Sequence, residues 1–177
     1  MINKEKQHDN SHEHGCGCSC GSHDHDHEEK CRAKKNQGPI TLNKEEVEML
    51  LFFKENKYIP ISEFVMAGSE NDHIAFSALA PVYLMKSDDT MEDVKKVGAV
   101  LKSLEEKDII SLDYHIPLQG YDYSIHTDSK LFKYLIKTIE DGKDNPDFLC
   151  DKAEIELGSA ALTPLGENAA KSITVEE

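Results

Sequence analysis

The apolar positions of this chain repeat with two different periods, and the change between them at residues 87–126 sets the expected architecture. In SDDTMEDVKKVGAVLKSLEEKD (87–108), Met91, Val94, Val97, Leu101 and Leu104 recur at three- and four-residue steps. That spacing places them in one stripe on a helix face. Asp89 is the predicted N-cap, with Glu92 three positions on as its capping-box partner. Beyond the helix the period drops to two. Ile110, Leu112, Tyr114 and Ile116 alternate with polar residues, and so do Tyr121, Tyr123 and Ile125. Pro117 and Gly120 bracket the segment PLQG, which predicts a turn and hence a β-hairpin with its apolar residues on one face. In that hairpin His115 faces Asp122 and His126 lies diagonal to Asp113, as solvent-exposed cross-strand pairs.

Residues on either side add further elements. Asn43, with Glu46 three residues on, predicts a helix carrying Val47, Leu50, Leu51 and Phe53 and stopping near 56–60. Residues 61–68 fit a short helix or a strand equally well; a helix is expected over 73–79, with Pro81 forcing an extended segment after it. After the hairpin, Asp128 is expected to cap a helix whose stripe of Leu131, Phe132, Leu135, Ile136 and Ile139 serves either the core or a dimer seam. AEIELGS (153–159) alternates as a strand, and Thr163 followed by Pro164 starts a last helix. Cys150 reads as a buried small hydrophobe.

Residues 1–38 follow neither period. HDNSHEHGCGCSCGSHDHDHEEKC has almost no aliphatic side chain, so a disordered tail is expected here and a folded domain over 39–177. The tail is rich in donor atoms. Cys16, Cys18 and Cys20 offer three thiolates within five residues, and the interleaved glycines let the backbone turn them inward. His8, His12, His14, His23, His25 and His27 surround them, with Cys31 beyond. Thiolate with imidazole suits Zn²⁺ or Cu(I), and the His-rich flanks also suit Ni²⁺. A transition metal ion is therefore expected on His12, His14, Cys16, Cys18, Cys20, His23, His25, His27 and Cys31.

Charge narrows the partners. The chain carries 20 Lys and Arg against 34 Asp and Glu, a formal −14. Six of the basic and seven of the acidic residues fall in 1–38, so the excess belongs to the folded part and opposes polyphosphate binding. The N-terminal residues lack an apolar signal region and the longest apolar run, FSALAPVYLM, is too short to span a bilayer. A cytoplasmic protein without membrane contact is expected. No P-loop, GxGxxG, HExxH or nucleophile elbow occurs, and no enzymatic activity is expected.

The helix VKKVGAVLKSLEEKDII leading into a strand, the hairpin after it, and the step ALTPLGENAA together resemble a winged helix-turn-helix protein, loosely of the MarR-like transcription regulators. The resemblance implies an α+β winged-helix fold with a two- to three-stranded wing, extended by a C-terminal helix, strand and helix that place LTPLG beyond an added helix. It implies a homodimer on duplex DNA, with 89–107 as recognition helix showing Glu92, Lys95, Lys96, Ala99, Lys102 and Ser103 to solvent. Lys95, Lys96 and Lys102 would then meet DNA, and metal in the tail would modulate the affinity. The acidic balance and a wing tip without Lys or Arg support an alternative: a metal-handling or interaction adaptor that docks a protein partner.

Overall fold

Asn43 starts the folded unit as expected. Its side chain accepts from the Glu46 amide while Glu46 reaches back to the Asn43 amide, a complete capping box at the head of helix α1 (Lys44–Glu55). A computed structural model describes residues 40–69 and 74–173, all within the second of two units, Met1–Gln37 and Gly38–Glu177. The metal-ligand residues expected between His12 and Cys31 lie outside the described residues.

Among the described residues the fold is mixed α+β, with five helices and one four-stranded antiparallel sheet. α1 is followed by strands β1 (Tyr58–Ala67) and β2 (Ala75–Val82), helix α2 (Met91–Glu106) and a short strand β3 (Ile110–Asp113). Helices α3 (Ser124–Thr127) and α4 (Lys130–Gly142), strand β4 (Lys152–Leu162) and helix α5 (Pro164–Ser172) complete it. The sheet order is β2-β1-β4-β3. β1 is central, pairing with β4 from Tyr58↔Ala161 to Ala67↔Lys152 and with β2 on its other side.

Alternation along β1 divides the interior. Ile59 and Ile61 enter a core with Leu50 and Phe53 of α1, Leu101 and Leu104 of α2, Ile110 of β3 and Ala170 of α5. Phe64 enters a second core with Val82, Leu84 and Leu131, Leu135 and Ile139 of α4. α2 serves both, Val94 joining the second and Leu101 the first. The predicted stripe is therefore correct in kind, with Gly98 also buried, against Pro81. The α4 stripe is likewise spent in the core: Leu131, Leu135 and Ile139 are buried, and only Ile136 turns outward.

Several expectations fail. Residues 121–126 form no strand. Gly120 takes φ 76°, Asp122 accepts from the amide and hydroxyl of Ser124, and α3 follows. The apolar spacing that matters there is Tyr123 and His126, three apart and both buried, which is a helical turn. β3 instead pairs with β4, from Ile110↔Leu162 to Asp113↔Ser159, so the hairpin over 110–126 is absent and 38 residues (114–151) separate the two paired strands. Gly158 admits this pairing, because a Cβ there would meet the Asp113 carbonyl oxygen at 2.1 Å. Residues 61–67 are strand, and the helix expected over 73–79 is β2 where described. Helix starts shift by one: Thr90, not Asp89, caps α2, and Ser129, not Asp128, caps α4. Asp89 instead accepts from the amides of Met85 and Lys86, fixing the approach to α2.

Candidate functional site

α2 and the neighbouring edge of the sheet form the most promising surface. β2 is an edge strand, and a groove of about 330 Å³ runs between its residues 77–81 and Val94, Lys95, Gly98, Ala99 and Lys102 of α2. Small residues make the groove possible: Gly98 comes close to the Pro81 carbonyl, and Ala99 leaves its wall open. Lys95 and Lys102 both reach it, whereas Lys96 pairs with Glu92 one turn back, at 3.1 Å.

The structure thus brings two of the three expected DNA contacts to one groove and holds the third in an exposed ion pair. Along α2 the exposed side chains are Glu92, Asp93, Lys95, Lys96, Ala99, Lys102, Glu105 and Glu106. Four carboxylates outnumber three ammonium groups. Ser103, expected on the solvent face, turns to α1 and donates to Glu46 at 2.6 Å. Lys107 donates to both Glu46 oxygens, at 2.5 and 2.7 Å, and to the Thr41 carbonyl. Burial pushes the Glu46 carboxyl up, but the hydrogen bonds from Lys107, Ser103 and the Asn43 amide outweigh it and hold it below its ordinary 4.5.

A second constellation lies under α3 and α4. His126 and Ser62 are fully buried, with His126 Nδ1 and Ser62 Oγ 2.8 Å apart. His126 Nε2 has no partner. The Tyr123 ring lies 5.5 Å from the imidazole, and its hydroxyl donates to the Gly158 carbonyl at 2.6 Å. Burial depresses the His126 pKa from 6.5 to about 4, so the ring is neutral at physiological pH. A Ser–His contact of this kind suits nucleophilic chemistry only when the hydroxyl is accessible and the second ring nitrogen is oriented by another group. Neither condition holds here, and the pair is a polar clasp between β1 and the α3–α4 layer.

The exposed cross-strand pairs do not form, because their hairpin does not. His115 Nδ1 instead lies 3.3 Å from a Glu156 carboxylate oxygen across the β3–β4 end, and Asp122 accepts from the amide and hydroxyl of Ser124. Cys150 is a buried free thiol, which burial and then Asp151 push up. A further depression of about 360 Å³ between α1 and α5 gathers Lys54, Lys57 and Lys171, but Glu167 shares its wall. Among the described residues no group of three or more His, Cys, Asp or Glu can hold a metal ion, and no helix is long and apolar enough to cross a membrane.

Sequence pattern alone missed the groove, because β2 read as a helix. It missed the Ser62–His126 contact because 64 residues separate the two.

No family model and no curated protein matches the chain. Among solved structures, an uncharacterized protein from the hydrocarbon-degrading marine bacterium Alcanivorax borkumensis SK2 is similar over 75% of this chain and 88% of that one. The identity is 10% and the TM-score 0.35, a likeness too slight to carry an argument.

Proposed function

We propose that this is a metal-handling protein: its N-terminal segment captures a soft transition metal ion and its acidic folded unit docks a protein partner. The observation that carries the docking half is the exposed face of α2. A helix that reads duplex DNA needs cations that converge on phosphates. Here four carboxylates interleave with three lysines, and one of those lysines is paired with Glu92. The 114–151 segment where a wing tip would sit offers no cation before Lys130.

The metal half rests on donor chemistry. Cys16, Cys18 and Cys20 with the flanking histidines match Zn²⁺ or Cu(I). In competition titrations the full chain should hold Zn²⁺ more tightly than a Cys16→Ser/Cys18→Ser/Cys20→Ser variant. Affinity should weaken as pH falls through the imidazole range near ~6.5, where the ligands take up protons. Equal affinity of the two proteins would remove the thiolate site.

A second reading, a metal-responsive winged-helix regulator acting as a homodimer on DNA, is favoured by connectivity. β4 lies between β1 and β3 in the sheet and LTPLG leaves β4 directly, although β2 intervenes between β1 and α2, and α3 and α4 between β3 and β4. A single titration separates the readings. Under the docking reading, the Zn²⁺-loaded full chain at ~50 mM salt shows no duplex affinity. Affinity that is present in the wild type and lost in Lys95→Glu/Lys96→Glu would establish the regulator instead.

A further inference from the structure

We infer that the free edge of β2 is a β-augmentation site that takes an extended acidic peptide; this rests on the docking reading above and names the partner's chemistry. An edge strand exposes unpaired backbone N–H and C=O groups, and proteins ordinarily blunt such edges by shortness, charge or proline. β3, the opposite edge, is four residues long. β2 is eight residues long, AFSALAPV, without a charged side chain, and its one proline lies near its end. Ala75, Phe76, Ser77 and Ala78 are all exposed. Among the described residues nothing pairs with the outer edge.

The groove beside this edge has the opposite charge to the rest of the unit. In a chain with 34 acidic residues, none of the groove's lining residues is acidic and two are lysines. Lys95 and Lys102 stand two helical turns apart, about 10 Å along the α2 axis. Same-face residues of an added strand recur every ~7 Å, a mismatch that flexible lysine stems absorb. An extended segment with acidic residues at alternate positions therefore satisfies the β2 backbone with one set of bonds and the lysines with another. A second copy of this chain fits less well, since pairing β2 with β2 would bring the two lysine pairs together. Duplex DNA is too wide for a groove of about 330 Å³.

The test is a titration of the isotope-labelled full chain with a synthetic octapeptide of alternating Glu and Val, followed by backbone amide shifts. Shifts should be confined to β2 and the facing part of α2. A Lys–Val peptide of the same length should bind about tenfold or more weakly, and so should the Glu–Val peptide to Lys95→Glu/Lys102→Glu. Ser77→Pro, which removes an edge donor, should abolish the β2 shifts. Because both lysines are exposed, the charge-reversal variant stays informative if the proline variant fails to fold. Equal binding of the two peptides, shifts elsewhere, or no shifts at millimolar peptide would each overturn the edge site. Duplex DNA in a parallel titration distinguishes the underlying reading. Silence to DNA and peptide alike overturns the edge site and leaves docking to another surface, whereas DNA-induced shifts on α2 overturn both.

Discussion

Replacing Lys107 with Met should lower the thermal midpoint of the folded unit by roughly 10 °C, from a loss of about 3 kcal/mol. Glu46 is completely buried, and among the described residues Lys107 is the only cation bonded to it. Removing one partner of a buried pair leaves a carboxylate stripped of water and without its counter-charge. The cost falls at the low end of the usual range because the Lys107 side chain is itself 32% exposed and its charge partly screened. The Ser103 hydroxyl and Asn43 amide remain as donors. The pH dependence supplies the diagnostic. In the wild type the folded-state pKa of Glu46 lies below 4.5, so the pair's contribution is complete above that pH and is lost as pH falls through the folded value. In the variant the carboxyl loses its counter-charge and should titrate higher than in the wild type. The variant's folded state then takes up a proton before the wild type's does, and the deficit relative to wild type should shrink as pH falls from 7 into the carboxylate range. Thermal melts across that range check it. A deficit that stays constant with pH would mean that lost packing, not an unpaired charge, sets the cost. Glu46→Gln in the Lys107→Met background should recover much of the loss, because no buried charge remains.

Much of this framework was legible where local chemistry decides. Asn43 with Glu46, Thr163 with Pro164, and the stripe from Val94 to Leu104 each announce a helix within a few residues, and each helix is present. Strand pairing was not legible, because it depends on which distant segment wins. Ile110–Asp113 alternates toward Tyr121 as plausibly as toward Leu162, and only the longer β4 ladder, with Gly158 letting Asp113 approach, decides between them. β2 misled for a related reason. AFSALA is composed of residues that a helix also accepts, and its strand conformation comes from pairing with β1 rather than from propensity. The candidate groove inherits that error, since two of its lysines were recognised on α2 while its other wall was assigned to the wrong element.

The largest pH effect in the folded unit should come from His126. Its pKa in the folded state is about 4 against an ordinary 6.5, with burial as the cause. Between those values the unfolded chain binds a proton that the folded chain refuses. Stability is therefore complete above pH 6.5 and declines as pH falls, by about 3 kcal/mol on reaching pH 4. Carboxylates contribute to any slope at the acid end, so the residue's own share is read by difference. His126→Phe keeps a ring in the space between β1 and α4 but cannot titrate. Its melting temperature should fall less steeply than that of the wild type between pH 6.5 and 4. Parallel curves for the two proteins, or a His126 ring resonance titrating near 6.5, would show that the imidazole reaches water. Ser62→Ala then separates burial from hydrogen bonding. It removes the Oγ partner of Nδ1 and should cost about 1–2 kcal/mol at every pH. The slope should survive, because the ring stays enclosed by the α3–α4 layer. A slope that disappears in Ser62→Ala would make the hydroxyl, and not the exclusion of water, the reason that the imidazole stays neutral.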